Sequence, residues 1–126
     1  MIVVDTDVLI DALRGQEPSA GRVTEGLKSG SLATTAVTVF ELLSGARDQR
    51  QRKVIETLLD ALPILPLDQA AGEIAASLRQ DLEAKGRGIG MADYLIAGVC
   101  VSHFASLLTR NRKHFERIRS LTLADL

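Results

Sequence analysis

Apolar and polar positions alternate along this chain in blocks whose lengths predict strands and helices in turn. Ile2-Val3-Val4 is a short β-branched run, and Met1 to Thr6 is predicted as a buried strand. Leu9, Ile10 and Leu13 share one face of a helix from Asp7 to Arg14, which Gly15 ends. Pro18 opens a second helix that runs to Ser29-Gly30. Ser31 to Val37 is predicted as the second strand, after which Thr38 caps a helix reaching Gly45. Val54, Ile55, Leu58, Leu59 and Leu62 give Arg50–Leu62 an amphipathic helical period. Pro63 to Leu67 is a short strand whose prolines suit an edge or an end. Asp68 caps a long helix carrying Ile74, Leu78 and Leu82. Gly86, Gly88 and Gly90 mark a loop, Met91 to His103 a helix, and Ala105 to Thr109 a strand. Arg112 to Ile118 is then a short helix and Leu121 to Leu123 a last strand. Strand–helix alternation of this kind predicts an α/β fold with a parallel sheet covered by helices on both faces.

Composition narrows the class without choosing a function. A chain of 126 residues has the length of one domain, 1–126, with no internal repeat or linker. The single cysteine, Cys100, cannot form an internal disulfide and suits a reducing compartment. The N-terminus lacks the basic region of a signal peptide, and no apolar run reaches the roughly 18 residues of a membrane span. A cytoplasmic protein is therefore expected. A formal net charge of −1 gives no global case for nucleic acid, so that case has to be local.

Three acids change the picture. Asp5 ends the first apolar run, Glu41 stands among Val39, Phe40, Leu42 and Leu43, and Asp93 follows the glycine-rich loop and opens an apolar stretch. Ionised carboxylates among apolar neighbours are costly unless paired or bound to a cation. Each has an ordinary alternative. Asp5 can cap the next helix, although Asp7 looks the better cap and leaves Asp5 free; Glu41 can face solvent; Asp93 can favour a helix N-terminus. Fold logic groups them, because ligands of open α/β sheets bind outside the carboxyl ends of the strands. Asp5 ends one strand, Glu41 follows the second by about a turn, and Thr109 to Asn111 end another. Two carboxylates about 4 Å apart repel by roughly 4 kcal/mol at an effective dielectric of 20, and a divalent cation removes that penalty. An all-oxygen set without a histidine cluster suits Mg²⁺ or Mn²⁺ better than zinc. Cys100 and His103 lie a turn apart, but two ligands do not make a zinc site.

Four strings then match a family in order. Val3-Val4-Asp5-Thr6-Asp7-Val8-Leu9-Ile10, Thr38-Val39-Phe40-Glu41-Leu42-Leu43-Ser44-Gly45, Ile89-Gly90-Met91-Ala92-Asp93-Tyr94-Leu95-Ile96-Ala97 and Leu108-Thr109-Arg110-Asn111-Arg112-Lys113-His114-Phe115 resemble the successive motifs of PIN-domain ribonucleases. The resemblance is nearest to the VapC-type toxins of toxin–antitoxin pairs and runs almost end to end. It implies a single PIN domain over 1–126, a three-layer α/β/α sandwich with a central, mainly parallel sheet of four to five strands. It also implies a Mg²⁺-dependent endoribonuclease, a VapB-type antitoxin as partner, and a homodimer. Asp5, Glu41 and Asp93 are the expected metal ligands and, with Asn111, the expected catalytic set. The chain departs from the family in two places. Asparagine or serine is commoner where Asp7 stands. Many relatives carry a fourth acid in the last motif, where this chain has Asn111 and His114. Three formal charges are then expected rather than four, with Asn111 offering a carbonyl oxygen and Thr6 and Thr109 orienting the carboxylates.

Local charge agrees with a polyanionic substrate. Arg110, Arg112, Lys113, Arg117 and Arg119 crowd the last motif, and Arg110, Arg112 and Lys113 are the expected RNA contacts. Arg47, Arg50, Arg52 and Lys53 form a second run that reads as a solvated helix face. With so few aromatic residues, a base-stacking platform is not expected. Three other readings stay open. A haloacid-dehalogenase-like phosphohydrolase would use Asp5-Thr6-Asp7, against which stands Leu9 in place of the usual threonine. An inactive PIN-like module would only hold RNA or an antitoxin. A structure-specific DNA nuclease could use the same fold.

Overall fold

The computed structural model describes residues 1–126, in the order β1 (Ile2–Val4), α1 (Thr6–Leu13), α2 (Ser19–Ser29), β2 (Leu32–Thr35), α3 (Ala36–Ser44), α4 (Gln49–Asp60), β3 (Ile64–Leu65), α5 (Gln69–Ala84), α6 (Met91–Ser102), β4 (Ser106–Leu108) and α7 (Arg112–Phe115). The four strands pair in the order β3-β2-β1-β4, and every pairing is parallel. The expected α/β/α sandwich is therefore present, with four strands in the sheet. The predicted strand over Leu121–Leu123 contributes only one parallel bridge, from Leu123 to Leu107.

Two apolar cores explain the layers. Side chains alternate across a strand, so Val3, Ala33 and Leu107 join one core with Ala71 and Ala75 of α5, Ile96 and Val99 of α6, and Phe115 of α7. Val4, Leu32 and Leu108 point the other way, into a core with Val8 and Leu9 of α1, Val23 of α2, and Ile55 and Leu59 of α4. Ile55 and Leu59 of α4, Leu62 just beyond it, and Ala71, Ala75 and Leu82 of α5 are buried in the cores, while Val54 stays half exposed. Gly98 lets α6 approach α5 closely, since a Cβ there would lie 2.5 Å from the Ala71 carbonyl oxygen.

Capping differs from expectation at two helices. Asp5, not Asp7, caps α1, its Oδ1 accepting the Thr6 N–H at 2.8 Å. Thr35, not Thr38, caps α3, its hydroxyl accepting the Thr38 N–H at 3.1 Å, so β2 ends earlier than the β-branched run suggested. Asp68 caps α5 as expected, accepting from the Ala71 N–H at 3.0 Å. The sheet order places the site. From β1 the chain winds outward to β2 and β3, then returns across the sheet to β4 on the other side of β1. The carboxyl ends of β1 and β4 flank that switch point, where open α/β sheets form their ligand crevice.

A carboxylate crevice at the end of β1 and β4

Asp5 follows the last residue of β1 and is buried. Its two oxygens have different tasks. Oδ1 caps α1, while Oδ2 accepts a hydrogen bond from the Thr109 hydroxyl at 2.6 Å, just past the end of β4. The Asp5 carboxyl is pushed up to about 7, first by burial and then by the nearby charge of Asp7, against the opposing bonds from Thr109 and Thr6.

Asp7 lies in the first turn of α1. Its Oδ2 accepts the Arg110 backbone N–H at 3.1 Å and lies 3.5 Å from the Thr109 hydroxyl oxygen. One hydroxyl has one proton, and Thr109 gives it to Asp5 at the shorter distance. Asp7 Oδ1 is buried and has no hydrogen-bond partner. Burial raises the Asp7 pKa, and the Arg110 N–H opposes that rise. The Arg110 guanidinium turns to Asp11 instead, with Nε 3.1 Å from Asp11 Oδ2.

Glu41 reaches the crevice from α3 on a ladder of threonines. The Thr6 hydroxyl donates to Glu41 Oε1 at 2.7 Å. Thr38 Oγ1 lies 3.0 Å from Thr6 Oγ1, and Thr35 Oγ1 lies 3.3 Å from Thr38 Oγ1. With the Thr6 proton given to Glu41, Thr38 supplies the proton of its contact with Thr6. Thr35 and Thr38 are fully buried, so the ladder hangs from the sheet interior. Glu41 is less enclosed than its sequence neighbours suggested, because Phe40 is 71% exposed.

Asp93 enters from the first turn of α6. Its Oδ2 lies 3.5 Å from the Asn111 amide nitrogen and 3.5 Å from His114 Nδ1. Burial raises its pKa, hydrogen bonding to His114 lowers it, and the charges of Glu41 and Asp7 raise it further. Asn111 Nδ2 and His114 Nδ1 are 2.8 Å apart. Asn111 Nδ2 therefore faces Asp93 and His114.

The acids so gathered are Asp5, Asp7, Glu41 and Asp93; the charges of Asp7 and Asp93 help raise the Asp5 pKa, and those of Glu41 and Asp7 help raise the Asp93 pKa. Asp7, expected as the cap of α1, lies beside Asp5 instead, in addition to the three expected acids. As they stand, no three acid, cysteine or histidine groups are spaced to enclose a single ion. The orphaned Asp7 oxygen and the mutual repulsion of the acids are what a cation would relieve.

The basic residues divide. Lys113 is exposed, two residues beyond Asn111 in α7. Arg112 donates to the Ala124 carbonyl at 2.9 Å and faces Glu116, so it ties α7 to the C-terminal segment. Arg110 is held by Asp11 and Arg117 by the Gly88 carbonyl. Of the three expected RNA contacts, Lys113 alone carries no structural bond of this kind. In the second basic run, Arg52 faces Glu56 along α4.

Comparison with known proteins places this geometry in a family. The PIN domain model matches residues 2–121. The tRNA(fMet)-specific endonuclease VapC of Shigella flexneri is 30% identical over 127 residues, covering 98% of this chain and 96% of that protein. Ribonuclease VapC19 of Mycobacterium tuberculosis is 31% identical over 116 residues, covering 91% and 92%. Among solved structures, DNA-bound VapBC from Salmonella typhimurium superposes with a TM-score of 0.88 at 26% identity, covering 98% of this chain and 96% of that one. VapBC2 from Rickettsia felis, bound to a promoter DNA fragment, gives 0.86 at 26% identity, covering 100% and 99%. The chain belongs to the PIN-domain family, among its VapC-type members.

Proposed function

We propose that the protein is a Mg²⁺-dependent endoribonuclease, the toxin of a VapBC-type pair, which hydrolyses RNA phosphodiester bonds with an activated water. One observation carries the reading. Acids at the end of β1 and on α3 and α6 converge on the β1/β4 crevice, where threonine hydroxyls hold Asp5 and Glu41 and the Asn111 amide and His114 face Asp93. At Asp5 and Glu41, neutral hydroxyls orient the carboxylates and leave their charge available.

Asp5, Glu41 and Asp93 would hold the divalent cation, which when bound offsets the phosphate charge and acidifies a water. Asp5 is the fixed member, locked by Thr109 and by its own capping bond. Glu41 is oriented through Oε1 by Thr6 and keeps its other oxygen to accept a proton from the attacking water. Asn111 holds Asp93 and His114 in place through its amide. Lys113 meets the RNA backbone outside the crevice. Manganese would serve in place of magnesium, since both are oxygen-seeking. A VapB-type antitoxin is the proposed partner, supported by the VapBC complexes this fold resembles, and a homodimer in the cytoplasm is the proposed form. No helix is long and apolar enough to cross a membrane.

The phosphohydrolase alternative gains nothing from the geometry. Leu9, where that class carries threonine, is fully buried in the core. Cleavage of total RNA by purified, antitoxin-free protein with Mg²⁺, Mn²⁺ or EDTA tests the proposal, with Asp5→Ala as the control. Metal-dependent discrete fragments that vanish in the variant are expected. Folded protein that cleaves nothing in either metal would overturn the nuclease reading in favour of an inactive binding module.

A further inference from the structure

Asp7 does more than a structural acceptor at its position needs to do. Its bond to the Arg110 N–H uses one oxygen, Oδ2, and an asparagine would make that same bond through its own carbonyl oxygen. The second oxygen is buried, makes no hydrogen bond, and sits on a side chain whose neighbour Asp5 is also an acid. Arg110 forms its ion pair with Asp11, and its charge offsets only part of the burial that raises the Asp7 pKa. The negative charge of Asp7 is therefore a cost to the folded chain alone, and becomes favourable when a cation stands in the crevice.

We propose that Asp7 is a fourth carboxylate of this site, contributing through Oδ1 to the hold on the divalent cation and so supplying the charge that Asn111 and His114 do not. The proposal rests on the metal-site reading above and extends it to a residue that capping preference had marked as a helix cap. The arrangement brings the fourth charge in from α1, next to Asp5. The α7 side of the crevice is left to a neutral amide and an imidazole, which hold Asp93. Arg110 then has a positioning role: its backbone fixes Asp7 while its side chain is held by the buried Asp11.

Mn²⁺ titration of antitoxin-free protein by calorimetry tests this without relying on activity, using wild type, Asp5→Asn, Asp7→Asn and Asp7→Ser. Asp7→Asn is expected to melt at or above the wild-type temperature in EDTA, because it removes a buried like charge. Its Mn²⁺ dissociation constant is expected to rise by about tenfold or more, within the range for lost supporting groups of metal sites. Asp7→Ser keeps a short polar side chain and should show the same weakening if Asp7→Asn does not fold. If Asp5→Asn loses Mn²⁺ while both Asp7 variants bind within twofold of wild type, Asp7 is a structural acceptor; this inference then falls and the metal-site reading survives. If wild type takes up no Mn²⁺, both fall together.

Discussion

Thr109 Oγ1 donates to Asp5 Oδ2 at 2.6 Å across the seam between β4 and β1, joining residues 104 positions apart. Asp5 also caps α1, so this one bond fixes the carboxylate against both the sheet and the helix. Thr109→Val keeps the β-branched shape and removes the donor, leaving a buried carboxylate oxygen without its partner. RNA cleavage is expected to fall roughly 10- to 100-fold, the usual cost of losing a group that orients a metal ligand. Thr109→Ser should restore most of it. Single-turnover cleavage rates would check this, and a Val variant as fast as wild type would show that Asp5 needs no second anchor.

The raised pKa of Asp5 predicts how stability changes with pH. An unfolded aspartate titrates near 3.9, and the folded Asp5 near 7. Between those values the folded chain binds more protons than the unfolded one, so metal-free stability falls as pH rises from about 4 to about 7. Asp7 and Asp93 are shifted in the same direction. Calorimetric melting in EDTA is expected to give a lower Tm at pH 8 than at pH 5.5, with the difference reduced in Asp5→Asn. Mg²⁺ should raise Tm more at pH 8, because ligands must be deprotonated to bind it. An Asp5→Asn variant with an unchanged pH slope would remove Asp5 as the cause.

Much of the candidate site was legible in the sequence because its residues sit where local patterns change. Asp5 ends a β-branched run, Glu41 interrupts an apolar helix, and Asp93 opens one after glycines. Asp7 was not legible in the same way. Two aspartates two apart offer two caps, and propensity does not choose between them; donors from Thr109 and Arg110, over a hundred residues away, decide the matter. Thr35 and Thr38 present the same ambiguity within one polar, β-branched run. The bond from Arg112 to the Ala124 carbonyl was not legible either, because its acceptor is a backbone group brought near by the C-terminal segment. The order of elements is insensitive to such choices because it depends on the alternation of periods along the whole chain, whereas caps and side-chain contacts depend on single residues.

Gly98 predicts a stability effect remote from the crevice. A Cβ there would lie 2.5 Å from the Ala71 carbonyl oxygen and 2.9 Å from the Ala75 Cβ, so α5 and α6 would have to separate. Overpacking of this kind costs about 1–3 kcal/mol. At roughly 4 °C per kcal/mol for a domain of this size, Gly98→Ala should lower Tm by roughly 4–12 °C. A Tm within a degree of wild type would mean that the helix pair yields without cost.

Lys113 and Arg112 are adjacent in sequence and differ in what they hold, so their alanine variants should separate. Lys113 is exposed and free to meet a phosphate, and losing one phosphate contact lowers the salt slope of RNA affinity by about 1. Arg112 bonds the Ala124 carbonyl, so its loss should loosen the C-terminal segment and lower Tm, with little change in the salt slope. RNA affinity measured against salt concentration, in a catalytically silent Asp5→Asn background, distinguishes the two. A salt slope reduced equally by both variants would mean that Arg112 leaves its carbonyl when RNA arrives, making the C-terminal segment responsive to substrate.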